Sequence, residues 1–90
     1  MNATINTIKM ILSTLKKSPE LAHSLSDTAN IIEDVGLDSL EMLQFMLEVE
    51  EKLAVVIDFD QLEYEHLHSI TRLATLLRTM PAAAVDSERE

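Results

Sequence analysis

Gly36-Leu37-Asp38-Ser39-Leu40, running straight into Glu41-Met42-Leu43-Gln44-Phe45-Met46-Leu47-Glu48-Val49-Glu50-Glu51-Lys52-Leu53, decides how this chain folds. A glycine, an aspartate and then an unbroken run of helix formers read as a helix start. Asp38 is the N-cap, because its short carboxylate can accept a bond from an otherwise orphaned backbone N–H. At about 100° per residue, Met42, Phe45, Met46, Val49 and Leu53 gather on one face. That is the pattern of a helix buried on one side, and it predicts a helix over about residues 39–53. Leu40, Gln44, Leu47, Glu48 and Glu51 fall on the opposite face. Two leucines on an acidic stripe mark that face as a docking surface.

On the N-terminal side, Ile5, Ile8, Ile11, Leu12 and Leu15 form a second helical stripe. A helix is expected over about residues 3–17, with Asn2 or Thr4 at its start, Lys16 and Lys17 in its last turn and Ser18-Pro19 ending it. A long connection follows, over about residues 18–38. Glu20 to Leu25 suit a short helical turn with Leu21 and Leu25 facing inward, and Ile31 and Ile32 pin the loop to the core. Connections this long are often functional.

On the C-terminal side, Ala54-Val55-Val56-Ile57 reads as a buried extended connector, since a lone strand has no partner here. Asp58 or Asp60 caps a short helix through about Tyr64. Ile70, Leu73, Ala74, Leu76, Leu77 and Met80 form a last helix, capped by Ser69 and ended by Pro81. The expected fold is all-α: a small four-helix bundle of three main helices and one short one, with a long first loop. Residues 1–80 make the domain. The small, polar stretch 81–90 is expected to be a disordered tail.

Composition narrows the function. Sixteen acidic against seven basic residues give a formal charge of −9. Phosphate backbones and anionic membrane surfaces are repelled by such a chain, so neither nucleic acid nor membrane is expected as partner, and a basic protein surface is. Cysteine is absent, which removes disulfides, thiolate nucleophiles and zinc–thiolate sites. No stretch is long and apolar enough to span a bilayer, and no signal-peptide pattern opens the sequence. A cytoplasmic monomer is expected.

One hydroxyl stands out. Ser39 sits where loop becomes helix, and a helix N-terminus offers free N–H groups and partial positive charge to a phosphate. Aspartate and serine are also the commonest residues at helix starts for structural reasons alone. The setting separates the two readings: Glu33-Asp34-Val35-Gly36-Leu37-Asp38-Ser39-Leu40 precedes an acidic helix near the middle of about 80 structured residues.

On these residues the chain resembles a discrete acyl carrier protein of the phosphopantetheine-binding family. The likeness covers about residues 3–80, and Ile32 to Leu53 carry most of it. The family's Asp-Ser-Leu matches Asp38, Ser39 and Leu40 without a gap. The resemblance implies that Ser39 receives 4′-phosphopantetheine from coenzyme A, through a separate phosphopantetheinyl transferase with Mg²⁺, flanked by Asp38 and Leu40. The arm then holds acyl or aminoacyl groups as thioesters, loaded by a ligase and delivered to synthases or transferases with basic docking surfaces. Leu40, Glu41, Gln44, Leu47, Glu48 and Glu51 would form the face those partners read, Glu63 would extend it, and Ile57, Leu62 and Ile70 would line the core or an acyl cavity. The chain itself would not be an enzyme. Gln44 stands where fatty-acid carriers usually have an acid, and the first loop, the connector and Tyr64-Glu65-His66-Leu67-His68 differ from the compact fatty-acid pattern. These departures imply a specialised pathway, with polyketide or aminoacyl cargo among the options.

Other readings are weaker. A small acidic interaction module without any prosthetic group is the main rival. A hydrolase using Ser39 lacks Gly-x-Ser-x-Gly and a positioned base. His66 and His68 have no further ligands beside them, and no metal site is expected. Asp58-Phe59-Asp60 opens like a calcium loop, but Glu63 and Ser69 stand where glycine and glutamate are needed.

Overall fold

The computed structural model describes residues 2–81. Helix α1 covers Asn2–Leu15, α2 Leu21–Ser24, α3 Ser39–Leu53 and α4 Ile70–Leu77. A π-helical turn, Ile31–Val35, precedes α3, and a 3₁₀ turn, Tyr64–Leu67, precedes α4. The chain is all-α, as expected, and α1 is the hub: it packs against α2, α3 and α4.

The core is aliphatic around one aromatic ring. Ile5, Ile8, Ile11 and Leu12 of α1 meet Phe45, Met46 and Val49 of α3 and Ile70, Leu73, Ala74 and Leu77 of α4. Phe45 is fully buried, whereas Phe59 and Tyr64 are exposed. The phase read for α3 holds, with Met42 and Leu53 packed at the edge of the buried stripe.

The ends of the elements correct several boundaries. Helix α1 stops at Leu15, not at residue 17, because Lys17 turns left-handed at φ 55°. Just past α2 Leu25 packs on the core, whereas Leu21 at its start stays half-exposed. Ser18 Oγ donates to Glu20 Oε2 at 2.6 Å, and this bond draws the Glu20 carboxyl below its ordinary pKa. The short helix expected after Asp58 is instead a turn. Asp58 Oδ1 accepts from Asp60 N–H at 3.0 Å, and the helical turn begins only at Tyr64. Of the extended connector only Ile57 is buried; Val55 is half-buried and Val56 faces solvent. Ser69 caps α4 as read, but that helix ends at Leu77, and turn bonds from Thr79 N–H to the Leu76 carbonyl and from Met80 N–H to the Leu77 carbonyl carry the chain to Pro81. The tail reading for 81–90 lies, Pro81 apart, outside the described residues.

The long first loop is tied down at both flanks. Lys9 of α1 pairs with Asp27 at 2.7 Å. The first N–H groups of α4 are satisfied by that loop: Ile70 N–H donates to the Ala29 carbonyl and Thr71 N–H to the Asp27 carbonyl. Ile31, fully buried, anchors the π-helical turn, and Asn30 Oδ1 caps it by accepting from Ile32 and Glu33 N–H at 2.9 and 2.8 Å. The loop therefore delivers the chain to the start of α3 along a fixed route.

Candidate functional site

The route ends in a left-handed residue and a reciprocal cap. Gly36 closes the π-helical turn at φ 78° and ψ 50°, a region costly for a residue with a side chain. A Cβ built on Gly36 would meet nothing within 4 Å, so glycine is required by conformation and not by space. Leu37 then packs against the core. Asp38 Oδ1 accepts from Glu41 N–H at 2.7 Å, and Glu41 Oε1 accepts from Asp38 N–H at 3.1 Å. The pair is a capping box, which satisfies two end groups at once.

Ser39 is the first residue of α3 and is exposed. Its hydroxyl makes no hydrogen bond, and the N–H groups of Ser39 and Leu40 have no acceptor, among the described residues. An exposed alcohol thus stands beside two free donors at the positive end of a fifteen-residue helix. Asp38 carries the adjacent carboxylate, half-engaged as the cap. This arrangement suits a phosphate ester on the Ser39 oxygen, with the free N–H groups facing the anion. Among the described residues no side chain hydrogen-bonds to the hydroxyl.

Glu41 is not free on the expected reading face of α3. Its carboxylate oxygen also takes Lys16 Nζ at 3.0 Å, and Lys16 Nζ reaches the Gly36 carbonyl at 3.1 Å. Leu40, Gln44, Leu47 and Glu51 are exposed together, and Glu48 stands at their edge, 3.9 Å from Lys52. Leu43, absent from the sequence reading, is 56 % exposed and completes an i, i+3, i+7 stripe with Leu40 and Leu47. That spacing was present in the sequence and would have found it. The Asp38-x-x-Glu41 capping box was equally legible. Lys16, by contrast, is 25 residues from Glu41 and carries no sequence signal for the pairing.

Glu63 lies away from α3 along the chain, at the start of the 3₁₀ turn that packs on α4. Its N–H donates to His66 Nδ1 at 2.8 Å, and the His68 ring meets Tyr64 edge-on, so both histidines serve local structure. Among the described residues no group of three or more metal-binding side chains comes together. Ile57 and Ile70 are buried in the core and Leu62 packs against it. A surface hollow of about 550 Å³ lies between α1 and α3, lined by Met10, Ile11, Leu15, Glu48 and Lys52 among others.

A family model described as "Phosphopantetheine attachment site" matches residues 7–77. No curated protein and no solved structure matches the chain.

Proposed function

Because this chain belongs to the phosphopantetheine-attachment family, whose members carry covalent 4′-phosphopantetheine, we propose that Ser39 is its attachment point. The role of the family is to carry, and in general such domains interact with phosphopantetheinyl transferases and synthases without being catalytic themselves. The observation that carries the assignment is the setting of Ser39: exposed, unpaired, and first in a capped helix where its own N–H and that of Leu40 are free among the described residues. In the transferase reaction the Ser39 oxygen loses its proton and gains the phosphopantetheinyl group, while 3′,5′-adenosine bisphosphate leaves from coenzyme A. The bound group supplies a terminal thiol on which an acyl or aminoacyl cargo is held as a thioester.

The chain's own residues do the rest. Asp38 and Glu41 fix the first turn so that the Ser39 oxygen points out of the fold. The free N–H groups of Ser39 and Leu40 stabilise the ester's negative charge. Leu40, Leu43 and Leu47, beside Gln44, Glu48 and Glu51, give partner enzymes an apolar stripe edged with acid. Acid steers basic partners at a distance, and the leucines add short-range contact. Tethering replaces diffusion with a high local concentration of cargo, so the carrier needs only moderate affinity for each enzyme. The departures from the fatty-acid pattern, Gln44 and the long first loop foremost, support a dedicated biosynthetic pathway. No helix among the described residues is long and apolar enough to cross a membrane.

The test is mass spectrometry after incubation with coenzyme A, Mg²⁺ and a broad-specificity phosphopantetheinyl transferase. One phosphopantetheinyl adduct is expected, mapping to Ser39 and lost in Ser39→Ala. An unmodified chain with every transferase tried would overturn the assignment in favour of an interaction module.

A further inference from the structure

We propose that Lys16 is a positioning residue for the modification of Ser39: it clamps the Gly36–Glu41 segment to the end of α1 and offsets the charge of the carboxylate there. The proposal rests on the assignment of Ser39 as the attachment point.

Three observations meet at one ammonium group. Lys16 Nζ lies 3.1 Å from the Gly36 carbonyl and 3.0 Å from Glu41 Oε1. That same Oε1 accepts the Asp38 N–H at 3.1 Å. One cation therefore grips the chain on both sides of Leu37-Asp38-Ser39-Leu40, before it through a backbone oxygen and after it through the capping box. The side chains of Lys16 and Glu41 are 27 % and 25 % exposed, so the pair is shielded more than the other two ion pairs among the described residues, each of which has a partner more than 40 % exposed. Lys16 is itself held: its N–H donates to the Leu12 carbonyl, and the left-handed Lys17 turns the chain away just behind it.

Two consequences follow for Ser39. The buried Ile31 and the Asn30 cap anchor the loop upstream of Gly36, and Lys16 adds a link from the end of that loop to the hub helix. Removing the link loosens the first turn of α3, and small misplacements of a reacting oxygen lower rate steeply. Asp38 and Glu41 also put two carboxylates beside a hydroxyl that must meet an anionic pyrophosphate. Lys16 offsets one of them at contact distance, where screening by salt is weakest.

The test uses the full chain, a phosphopantetheinyl transferase and coenzyme A. K16M should lower kcat/KM for modification by about tenfold or more, and K16R, which keeps charge and reach, should restore most of it. K9M is the control: it removes an equal charge and the 2.7 Å ion pair to Asp27, which lies before the buried Ile31 and the Asn30 cap along the chain to Ser39, and its rate should stay within about twofold of wild type. Amide hydrogen exchange gives a readout independent of activity. In K16M the Asp38, Glu41 and Met42 amides should exchange faster while those of Phe45 to Leu53 do not. K16M rates equal to those of K9M, or unchanged exchange at Asp38 and Glu41, would overturn the clamp. A wild-type chain that takes no adduct would overturn the Ser39 assignment instead, and the exchange data would still decide whether the clamp holds the turn.

Discussion

Asp38 and Glu41 exchange hydrogen bonds across the first turn of α3, at 2.7 and 3.1 Å. The residue that neighbours the Ser39 hydroxyl therefore belongs first to the helix. Asp38→Ala removes the acceptor for Glu41 N–H and should destabilise the fold by about 1 kcal/mol, the usual worth of an N-cap. For a domain of this size that is a fall of roughly 4–8 °C in Tm. Asp38→Asn keeps a capping oxygen and should lose much less. Thermal unfolding followed by circular dichroism separates the two; equal losses would mean that charge, and not the cap, holds the turn.

Gly36→Ala tests the approach to the same turn. The left-handed backbone disfavours a Cβ by roughly 1–2 kcal/mol, partly offset by about 0.4–1 kcal/mol from a stiffer unfolded chain. A net loss near 1 kcal/mol is expected, without loss of folding. Lys17 and Ala54 already occupy the same region at φ 55°, so this fold tolerates such residues. Chemical denaturation measures the difference. A loss of 3 kcal/mol or more would mean the loop has rearranged around the methyl group, since nothing lies within 4 Å of it as built.

The sequence told most about α3 because its two faces differ sharply and its start carries an aspartate cap. Period and cap together fix a helix within a residue, and the buried set Phe45, Met46 and Val49 follows from them. It told least where structure depends on distant partners. The end of α1 looked like residue 17 because lysines suit a helix terminus, yet Lys17 is left-handed and Lys16 is turned to Glu41. The turn after Asp58 looked helical because its caps are good, but no apolar stripe follows to bury it; Phe59 is 57 % exposed. The π-helical turn at Ile31–Val35 is set by Ile31 inserting into the core and by Asn30 beneath it, which local propensity does not encode. At the site, Ser39 and the leucines were legible as spacing, while the Lys16 contact, spanning 25 residues, was not.

Phe45 is fully buried at the meeting of α1, α3 and α4. Phe45→Ala should destabilise by about 3–5 kcal/mol, the range for a large side chain removed from a packed core. In a chain this short that is a large share of a stability of roughly 5–15 kcal/mol. Urea denaturation is the measurement. An effect near zero would show that the helical phase of α3 is wrong, and with it the outward face of Leu40 and Leu47.

Glu50 reaches off the far end of α3 to hold the connector: its Oε2 accepts from Ile57 N–H at 2.8 Å. Ile57 is buried, so losing this acceptor strands a donor beside the core. Glu50→Ala should cost about 1.5–3 kcal/mol, as for a hydrogen bond to a charged group, and Glu50→Gln should cost less because an acceptor remains. Amide exchange at Ile57 gives the local readout. It should accelerate in Glu50→Ala, and an unchanged rate would show that the N–H is protected by burial alone.

Charge reversal at Glu48 and Glu51 tests the acidic edge of the exposed leucines. Glu51 is exposed, and Glu48 faces only Lys52, at 3.9 Å along the helix. Such an i, i+4 pair is worth about 0.3–0.5 kcal/mol, and turning it into a like-charge pair costs a similar amount. Helicity and Tm should therefore barely move. Steering is another matter, because a chain of charge −9 approaches a basic enzyme through its summed field. Glu48→Lys with Glu51→Lys should slow phosphopantetheinylation by about tenfold at low salt, mainly through association. Near 1 M salt the Debye length shrinks to about 3 Å, and the gap between variant and wild type should close. A gap that persists at high salt would place Glu48 and Glu51 in direct contact with the enzyme; no gap at low salt would mean that the leucines alone, with no help from charge, select the partner.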